Sequence, residues 1–428
     1  IKNYTHSVDL WMKNSGLIID CDEKKNALRN LFKNSKVAFI YGAAGTGKST
    51  MINYISSLFK DKQKIFLANT NPAVENLRRK VTAEHAEFVT ITKFLSKDVS
   101  NDCDILCLDE CSTISNRDMV RVLQRAQCKL LVLVGDIYQI ESILFGNWFN
   151  IAYKVMPKDS VAELTRPHRT TVQGLIEVWN KVREITEDRL EFITRNGLSS
   201  TLDESIFSRT EEDEIVLCLN YDGIYGINNI NKFLQSNNVN PSINWGVLSY
   251  KVGDPVLFNE SNRFAPLVYN NLKGKILQIE EEEDCIYFTI EVYTVLNELD
   301  VIGFDLELKE SVTDETSVIR FKVGRGGDGN DDNDNVENVV PFQVAYAISI
   351  HKAQGLEYES VKVVITSEIE EMVSHNIFYT AITRAKSKLK IYWSPETEKR
   401  ILENMKVQFN DKDYQLFKAK YKEALLKS

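Results

Sequence analysis

The 428-residue sequence has no uninterrupted apolar run of about 18 residues, so no segment is predicted to span a bilayer. Its seven cysteines are an odd and scattered set, which excludes a disulfide framework and favours a reducing compartment. The first residues show neither a methionine nor a charged-then-apolar signal pattern. We therefore expect a soluble, cytoplasmic protein with a possible partner or fused effector domain on the N-terminal side of Ile1.

The sequence also lacks an excess of basic residues, because 52 Lys and Arg oppose 61 Asp and Glu and the net charge is −9. Ten of the acids lie in two stretches without Lys or Arg: five at residues 280–284, and five at Asp328, Asp331, Asp332, Asp334 and Glu337. Without these ten negative charges the remainder carries +1. The charge therefore permits a basic nucleic-acid groove without predicting one.

The first half of the chain alternates short apolar runs with helical patterns. Strands are predicted at residues 37–41, 64–68, 87–91, 104–108 and 129–134, and helices at residues 48–59 and from Pro72. Cys103, Cys107 and Cys111 fall on or beside a buried strand, so we interpret them as core residues and not as metal ligands. Strands that alternate with helices predict an α/β fold with a mostly parallel sheet.

The pattern changes after Trp245 to short strands separated by turn residues. These strands are predicted at residues 253–258, 274–279, 286–294 and 317–323, and together they indicate a small all-β insert. Residues 324–338 are rich in Gly, Asp and Asn and predict a flexible loop. The sheet-and-helix pattern resumes at Phe342. Beyond Asp411, helical spacing of apolar residues predicts an amphipathic C-terminal helix, on Tyr414, Phe417, Tyr421 and Leu425.

A glycine-rich sequence between a predicted strand and a predicted helix fits G-x-x-x-x-G-K-[ST]. Its residues are Gly42, Ala43, Ala44, Gly45, Thr46, Gly47, Lys48 and Ser49, and Thr50 follows in the predicted nucleotide-binding set. The glycines let backbone N–H groups surround phosphates, and the helix N-terminus adds a favourable dipole. Lys48 is expected to reach the β- and γ-phosphates of ATP, and the Ser49 hydroxyl to bind Mg²⁺.

Two further strand ends carry residues suited to hydrolysis. Asp109 and Glu110 end the strand of residues 104–108, where Asp109 is expected to hold Mg²⁺ and Glu110 to polarise the attacking water. Gln139 follows the strand of residues 129–134 and is expected to sense the γ-phosphate. An acidic pair at a strand end is often only a solvated turn, but the preceding phosphate loop favours the catalytic interpretation.

These motifs, with residues 345–357 and 378–385 after them, resemble motifs of superfamily 1 helicases. Residues 250–274 resemble the SH3-like insert of RecD-like and Dda-like members. The resemblance implies two RecA-like domains that bind ATP between them and move 5′→3′ on a single strand. It implies domain boundaries at 1–160 for the first RecA-like domain, 161–245 with 340–400 for the second, 246–339 for the insert and 401–428 for the C-terminal helix.

The resemblance also implies roles for individual residues. Arg384 would be an arginine finger from the second domain and Arg169 the arginine of another motif, although Arg166 competes for that assignment. His168 stands where the family stacks a ring on adenine, and Gly355 and Glu357 would complete the nucleotide site. Nucleic-acid contacts are implied for Thr70, Asn71, Thr90, Thr92, Ser349 and His351, each of which could instead be a helix cap or a packed polar group.

Four departures from the family are visible, and two of them are His168 where the family has Tyr or Phe and Thr92 where it has His. The glutamine that reads adenine upstream of the phosphate loop is missing from residues 23–27, Glu-Lys-Lys-Asn-Ala, so adenine selectivity stays open. The strand-splitting hairpin of RecD-like enzymes has only residues 96–103 in which to form. The leading hypothesis is an ATP-driven helicase on single-stranded nucleic acid, DNA favoured over RNA. The alternative is an ATP-gated nucleic-acid or protein clamp, and a P-loop kinase is disfavoured because it needs neither Gln139 nor Arg384.

Overall fold

The computed structural model describes residues 8–10, 13, 19, 21–31, 36–96, 101–139, 146–259, 263–265, 267–311, 313–325, 338–406 and 411–427. The chain forms two compact units. The first comprises Ile1–Phe192, Val373–Ser387 and Glu403–Ser428, and the second comprises Ile193–Met372 and Lys388–Leu402. Within the described ranges, no helix combines the length and the apolar character that crossing a membrane requires.

The first unit is built on a six-stranded parallel sheet in the order β3-β2-β4-β5-β1-β6. Its strands are β1 (Val37–Gly42), β2 (Lys64–Ala68), β3 (Ala86–Thr90), β4 (Asp102–Leu108), β5 (Gln127–Gly135) and β6 (Val161–Leu164). Successive residues of β4 belong to two different hydrophobic cores, with Cys107 in one and Leu106 and Leu108 in the other. The sheet is therefore covered on both faces, as the apolar runs predict.

Helices precede, connect and follow these strands in the chain. They are α1 (Asp22–Leu31), α2 (Lys48–Leu58), α3 (Asn71–Lys80), α4 (Ile91–Leu95), α5 (Asn116–Arg125), α6 (Trp148–Val155) and α7 (Gln173–Glu184). The helix α8 (Arg189–Arg195) leads into the second unit, and α9 is Ile227–Ser236. The later helices are α10 (His375–Ile382), α11 (Pro395–Asn404) and α12 (Asp411–Lys427).

The three cysteines at four-residue spacing are core residues, as predicted. Cys103 and Cys111 belong to the core on one face of the sheet, whereas Cys107 belongs to the core on the other face. Burial raises the pKa of the Cys107 thiol, so it packs as a small neutral side chain. Because the three side chains enter two separate cores, they do not converge on a common ligand.

The second unit contains a five-stranded sheet in the order β17-β8-β18-β19-β7. Its strands are β7 (Ser199–Ser200), β8 (Glu214–Cys218), β17 (Ala347–Ser349), β18 (Tyr358–Val364) and β19 (Ala385–Tyr392), and β8 pairs in parallel with both β17 and β18. A buried ion pair joins β8 to β18, with Lys362 Nζ 3.1 Å from Glu214 Oε1. Mixed α/β architecture with parallel sheets is therefore confirmed in both units.

In its described residues, the insert of the second unit is built from β-strands, as predicted. A hairpin of β9 (Ser242–Trp245) and β10 (Leu248–Lys251) precedes an antiparallel sheet in the order β14-β15-β13-β12-β11-β16. These strands are β11 (Pro255–Phe258), β12 (Lys273–Glu281), β13 (Cys285–Val292), β14 (Glu307–Lys309), β15 (Ser317–Gly324) and β16 (Phe342–Val344). Its core is aromatic, with Phe288 and Phe342 edge-to-face at 4.9 Å. The SH3-like classification stays a prediction, and residues 326–337 of the predicted loop lie outside the described residues.

Ion pairs and a buried acid attach this insert to the α/β part of the second unit. Lys273 Nζ lies 2.5 Å from Asp213 Oδ1 and stacks over the Tyr358 ring, and Lys275 pairs with Glu212. The Lys273 side chain is 18% exposed and engaged by Asp213, so its charge serves this attachment of the insert.

Asp254 provides the second attachment from a fully buried position. Its carboxylate accepts hydrogen bonds from the Gln235 and Asn238 side chains of the α/β part, and from the Tyr346 hydroxyl at 2.8 Å.

The C-terminal segment differs in part from its prediction. Residues 401–404 end α11, and a separate helix, α12, begins at Asp411. Asn147 Nδ2 donates to Asp413 Oδ2 at 2.6 Å, and Lys154 lies over the Tyr414 ring, so the start of α12 contacts α6. Phe417, predicted to pack on the body, is 44% exposed. The side chains of Tyr421 and Leu425 lie outside the described set.

Candidate active site and nucleic-acid edge

The phosphate loop connects β1 to α2 in the first unit. Gly45 and Gly47 have φ of 76° and 83°, in the left-handed region that favours glycine. A side chain at Gly45 would meet Arg169, since a Cβ there would lie 2.4 Å from Arg169 Cβ. Thr46 is buried and its Oγ1 donates to Ala43 O at 2.9 Å. Backbone conformation and packing both hold the loop in this shape, with Ser49 half-buried and Thr50 exposed on the first turn of α2.

Lys48 bonds to the loop that it follows. Its Nζ donates to Gly42 O at 2.8 Å and to Ala43 O at 2.9 Å, and it lies 3.9 Å from Asp136 Oδ2. Burial lowers the pKa of Lys48, while the charge of Asp136 and then that of Asp109 act in the opposite direction. The lysine charge is therefore held between the loop carbonyls and the acids that follow β4 and β5.

Asp109 and Glu110 follow β4 directly. Asp109 Oδ1 accepts a hydrogen bond from the Glu110 backbone N–H at 2.9 Å, and burial raises the pKa of Asp109. Glu110 has φ 50° and ψ 41°, a left-handed conformation that is unusual for a residue with a side chain. Burial first, and then the charge of Asp109, raise the pKa of Glu110 to about 7, while Arg384 and Lys48 oppose the rise. Glu110 can therefore exchange a proton near neutral pH.

Asp136 directly follows β5 and is a site residue that the sequence analysis missed. It is 2% exposed, and its Oδ1 accepts the Tyr138 N–H at 3.0 Å. Its Oδ2 accepts no hydrogen bond from the part of the chain that the structure describes, and burial raises the pKa of this carboxyl. Gln139 is half-buried three residues later, at the end of a described range.

The segment with Arg384 belongs to the first unit and contacts the phosphate loop. The Ala44 backbone N–H donates to the Tyr379 hydroxyl at 3.3 Å. At the end of α10, Arg169 Nη1 donates to Thr383 O at 2.7 Å, and Trp179 Nε1 donates to Ile382 O at 3.0 Å. These bonds satisfy carbonyls that the end of a helix leaves without partners.

Arg384 itself is 2% exposed. Its Nε donates to Thr380 O at 2.9 Å, and its Nη2 to Thr383 Oγ1 at 3.3 Å. Its charge lowers the pKa of both Glu110 and Asp136, although burial outweighs it at each carboxyl. The structure thus brings Lys48, Asp109, Glu110, Arg169 and Arg384 into one cluster. Sequence reasoning missed Tyr379, although it lies within the motif of residues 378–385.

His168 lies beside the loop with Lys24 of α1. The His168 backbone N–H donates to Gly45 O at 2.6 Å, and its Nε2 lies 3.0 Å from Lys24 Nζ. Burial, followed by the charges of Lys24 and Arg166, lowers the pKa of His168. The Glu23 carboxylate accepts bonds from Thr165 N at 2.8 Å and Thr165 Oγ1 at 2.7 Å. Residues 23–27, which lack the glutamine of the family, therefore lie beside the phosphate loop.

The nucleic-acid residues predicted in the first unit follow β2 and β3, which neighbour each other in the sheet. Thr70 caps α3 and accepts Ala73 N–H at 3.4 Å, while Thr90 caps α4 and accepts Lys93 N–H at 3.2 Å. Asn71 and Thr92 are exposed. The caps explain the two threonines structurally, and the exposed side chains lie at the carboxyl edge of the parallel sheet, where ligands of such sheets bind.

Four predicted residues belong to the second unit. Ser349 ends β17, is buried, and its Oγ accepts Lys352 N–H at 3.2 Å, whereas His351 is exposed. Gly355 has φ 81°, and Glu357 O accepts a bond from Lys273 Nζ at 3.2 Å. Their roles toward nucleotide or nucleic acid stay predictions.

The chain matches two protein families in the order that the motifs predict. Residues 21–203 match an AAA domain, and residues 344–392 match a UvrD-like helicase C-terminal domain. Among curated proteins, an uncharacterized protein of Methanocaldococcus jannaschii is 24% identical over 86% of this chain, which spans 37% of that protein. The RecBCD enzyme subunit RecD of Buchnera aphidicola subsp. Schizaphis graminum is 23% identical, with 90% of this chain and 78% of RecD covered.

Further matches concern Pif1 helicases. The ATP-dependent DNA helicase Pif1 of Campylobacter jejuni is 23% identical, with 83% of this chain and 88% of Pif1 covered. The structure of a Pif1 helicase from Bacteroides in complex with ADP-AlF3 and ssDNA has a TM-score of 0.54 at 18% identity, over 95% of this chain and 98% of that chain. The chain is therefore similar to the RecD and Pif1 helicases of superfamily 1 over most of its length, and the Pif1 structure shares its fold.

Proposed function

We propose that this chain hydrolyses ATP with Mg²⁺ in order to move 5′→3′ along single-stranded DNA and to unwind duplexes. One observation carries the proposal: the phosphate loop, the acidic pair after β4 and Arg384 lie in one buried cluster of the first unit. The relatives named helicases and the Pif1 fold support the coupling of this cluster to a nucleic-acid strand.

The residues of the cluster fit a nucleotide with a divalent cation. Asp136 Oδ2 is buried without a hydrogen bond from the described residues, and Lys48 is held by loop carbonyls that a phosphate would replace as its partners. Ser49 and Asp109 would hold Mg²⁺, since hydroxyl and carboxylate oxygens are its preferred ligands. When bound, Mg²⁺ neutralises charge on the β- and γ-phosphates.

Glu110 is the general base of this proposal. Its carboxylate, when ionised, accepts a proton from the attacking water, and a pKa near 7 suits proton transfer at neutral pH. Gln139, at the end of the neighbouring strand β5, would orient the same water. The two acids have different roles in this proposal. Asp109, whose Oδ1 accepts the Glu110 backbone N–H, would bind Mg²⁺, and Glu110 would activate the water.

Arg384 and Arg169 supply the positive charge for the transition state. The guanidinium of Arg384 acts electrostatically on Glu110 and Asp136, so it already lies within the field of the reacting groups. Arg169 is held by Thr383 O, next to Arg384 in the chain. A fixed guanidinium stabilises the charge that develops on the transferred phosphoryl group.

Single-stranded DNA would bind at the exposed residues after β2 and β3, Asn71 and Thr92, with their capping neighbours Thr70 and Thr90. In the second unit, His351 and Ser349 would contribute contacts to the backbone. Hydroxyl and amide groups position a strand without reading its sequence. The proposed functional domains are residues 1–160, residues 161–245 with 340–400, and residues 401–428. Residues 246–339 would form an SH3-like module that contacts the single-stranded DNA.

The test combines ATPase and strand displacement. We expect oligo(dT) to stimulate ATP hydrolysis, and a duplex with a 5′ tail to be unwound while a duplex with a 3′ tail is not. Lys48→Ala is the control for contaminating enzymes. ATP hydrolysis without stimulation by DNA, or unwinding from the 3′ tail, would contradict the proposal.

A second candidate is a clamp that uses ATP to hold nucleic acid or a protein without unwinding. The observation in its favour is the short connection between α4, which ends at Leu95, and β4, which begins at Asp102. Residues 97–100 of the predicted hairpin region lie outside the described residues. DNA-stimulated ATPase without displacement of either tailed duplex would select the clamp.

A further inference from the structure

Two cysteines lie directly opposite each other on neighbouring strands of the first unit. Cys103 of β4 is paired in the register with Cys128 of β5, and both side chains pack in or against the core on the same face of the sheet. Neighbouring strands lie about 4.8 Å apart, and disulfide bonds span Cα separations of about 4.4–6.8 Å. The backbone therefore holds these two residues at a separation that a disulfide bond can span.

The two thiols are close enough to influence each other electrostatically. Burial first, and then the charge of Cys128, raise the pKa of the Cys103 thiol to about 12. Burial also raises the pKa of Cys128. Both groups are therefore uncharged thiols at neutral pH, so they lie side by side without repulsion in the reduced protein. Because the thiolate is the reactive form, we expect their reactions to be slow.

The other cysteines differ from this pair in their surroundings. Cys107 packs in the core on the opposite face of the sheet, and the Cys111 thiol donates to Leu108 O at 3.4 Å. Cys285 begins β13 of the insert, is half-buried like Cys128, and lies opposite Gly324 in the register. Among the strand pairings of the described residues, no other sets one cysteine opposite another.

The position of the pair in its strands favours a bond that forms and opens again. Cys103 and Cys128 are the second residues of β4 and β5, and the ladder continues beyond them through the bond from Gln127 N–H to Asn101 O at 2.9 Å. The strand spacing lies at the short end of the range for disulfides, so the bond would be strained. Strained disulfides are the ones that are reduced readily, in contrast to structural disulfides.

We propose that Cys103 and Cys128 form a reversible disulfide bond by exchange with a small-molecule disulfide of the oxidised glutathione type. Cys128 is half-buried whereas Cys103 is 6% exposed, so the reagent reaches Cys128 first. The bond ties the start of β4 to the start of β5, the two strands that Asp109 and Asp136 follow at their other ends. The inference does not depend on the proposed function.

The exchange proceeds in two steps. Cys128 loses its proton, and its sulfur attacks one sulfur of oxidised glutathione, which forms a mixed disulfide and releases one glutathione thiolate that takes up a proton. Cys103 then loses its proton, and its sulfur attacks Cys128 Sγ and releases the second glutathione in the same way. Two protein thiols are oxidised and one glutathione disulfide is reduced to two glutathione molecules, so the step needs no further oxidant.

The test incubates the reduced full chain with oxidised glutathione under native conditions. Acid stops the reaction, the remaining thiols are alkylated, and peptides are mapped by mass spectrometry. We expect a cross-linked peptide that joins Cys103 to Cys128 and has lost the mass of two hydrogen atoms. Cys285 is the internal control in the same sample, because it has a similar exposure but lies opposite a glycine, so its reaction should stop at the glutathione adduct. Reduced glutathione added to the folded protein should reopen the cross-link.

Three serine variants separate the roles of the two cysteines. Cys103→Ser should stop the reaction at the mixed disulfide, so that Cys128 keeps its glutathione. Cys128→Ser should leave Cys103 unmodified, because the reagent does not reach it, and Cys107→Ser should keep the cross-link.

The mapping of the wild-type protein decides the outcome even where a variant folds poorly. Glutathione that persists on Cys128 of the wild-type protein, an unmodified Cys128, or a bond from Cys128 to another cysteine would overturn the inference. A cross-link that reduced glutathione opens only in urea would refute its reversibility.

Discussion

As the proposed general base, Glu110 should make hydrolysis depend on pH in the neutral range. Burial and the adjacent Asp109 raise its pKa to about 7, and only the ionised carboxylate can accept a proton from water. About one eleventh of the groups is ionised at pH 6 and about ten elevenths at pH 8, so kcat/KM for ATP should rise about tenfold between these values. The rise should be absent in Glu110→Gln, whose residual turnover has no base to titrate.

The assay is steady-state ATPase with saturating oligo(dT) and with free Mg²⁺ and MgATP held constant at each pH. Glu187→Gln removes an exposed acid of the same unit and should keep the wild-type profile. A kcat/KM that stays flat from pH 6 to pH 8 in the wild-type protein would refute the assignment of Glu110 as a base with a raised pKa.

The same shift predicts an effect on stability that is independent of activity. The pKa of Glu110 is higher in the folded protein than its ordinary value of 4.5, so folding favours the protonated form and stability is lost as pH rises from 4.5 through about 7. Glu110→Gln cannot ionise and escapes that loss. Relative to wild type, the variant should gain up to about 3 kcal/mol in unfolding free energy between pH 5 and pH 8, measured by urea denaturation. An equal difference between the proteins at both pH values would contradict the raised pKa.

Four other changes test separate parts of the structure. Lys48→Ala should abolish ATP turnover and weaken mant-ADP binding, and normal binding would remove Lys48 from the phosphate site. Arg384→Ala should lower kcat about 10³-fold with little change in ATP affinity, as measured by single-turnover kinetics, whereas a change in KM alone would make Arg384 a ground-state ligand. A short Gly/Ser linker in place of residues 246–339 should weaken single-strand binding in fluorescence anisotropy but keep nucleotide binding, and the intact protein should displace streptavidin only from a 3′ end. Lys362→Met leaves Glu214 charged and buried and should cost about 3 kcal/mol in urea denaturation, and the added change Glu214→Leu should recover most of that loss.

The local sequence pattern was sufficient to predict where the phosphate loop and the acidic pair after β4 lie. A glycine-rich turn of this pattern between a strand and a helix is used mainly to bind phosphates. Gly45 and Gly47 have the positive φ that such a loop requires. The boundaries of β1 and β2 also follow, within one residue, from continuous apolar runs, because a strand covered on both faces has no polar face to interrupt the pattern. By contrast, β4 begins at Asp102, two residues before its apolar run.

Contacts between distant segments could not be predicted in this way. Lys24 and His168 are 144 residues apart, and Tyr379 and Ala44 are 335 residues apart. No local sequence pattern therefore predicts either contact. Lys273 likewise pairs with Asp213, which lies 60 residues earlier in the chain. A lysine on a strand has the same sequence pattern whether it faces solvent or a buried acid.

The left-handed backbone at Glu110 shows how the end of a neighbouring strand supports the proposed general base. Such a conformation costs of the order of 1–3 kcal/mol in a residue with a side chain, so surrounding bonds must hold it. Thr113 N–H donates to Glu110 O at 2.9 Å, and Asn69 Nδ2 donates to Thr113 O at 3.0 Å. Asn69 follows β2 and directly precedes Thr70, the first residue of the proposed DNA edge. The position of the proposed general base is therefore fixed in part by the segment that is proposed to hold the strand, so one short chain of hydrogen bonds links the two proposed sites of the first unit.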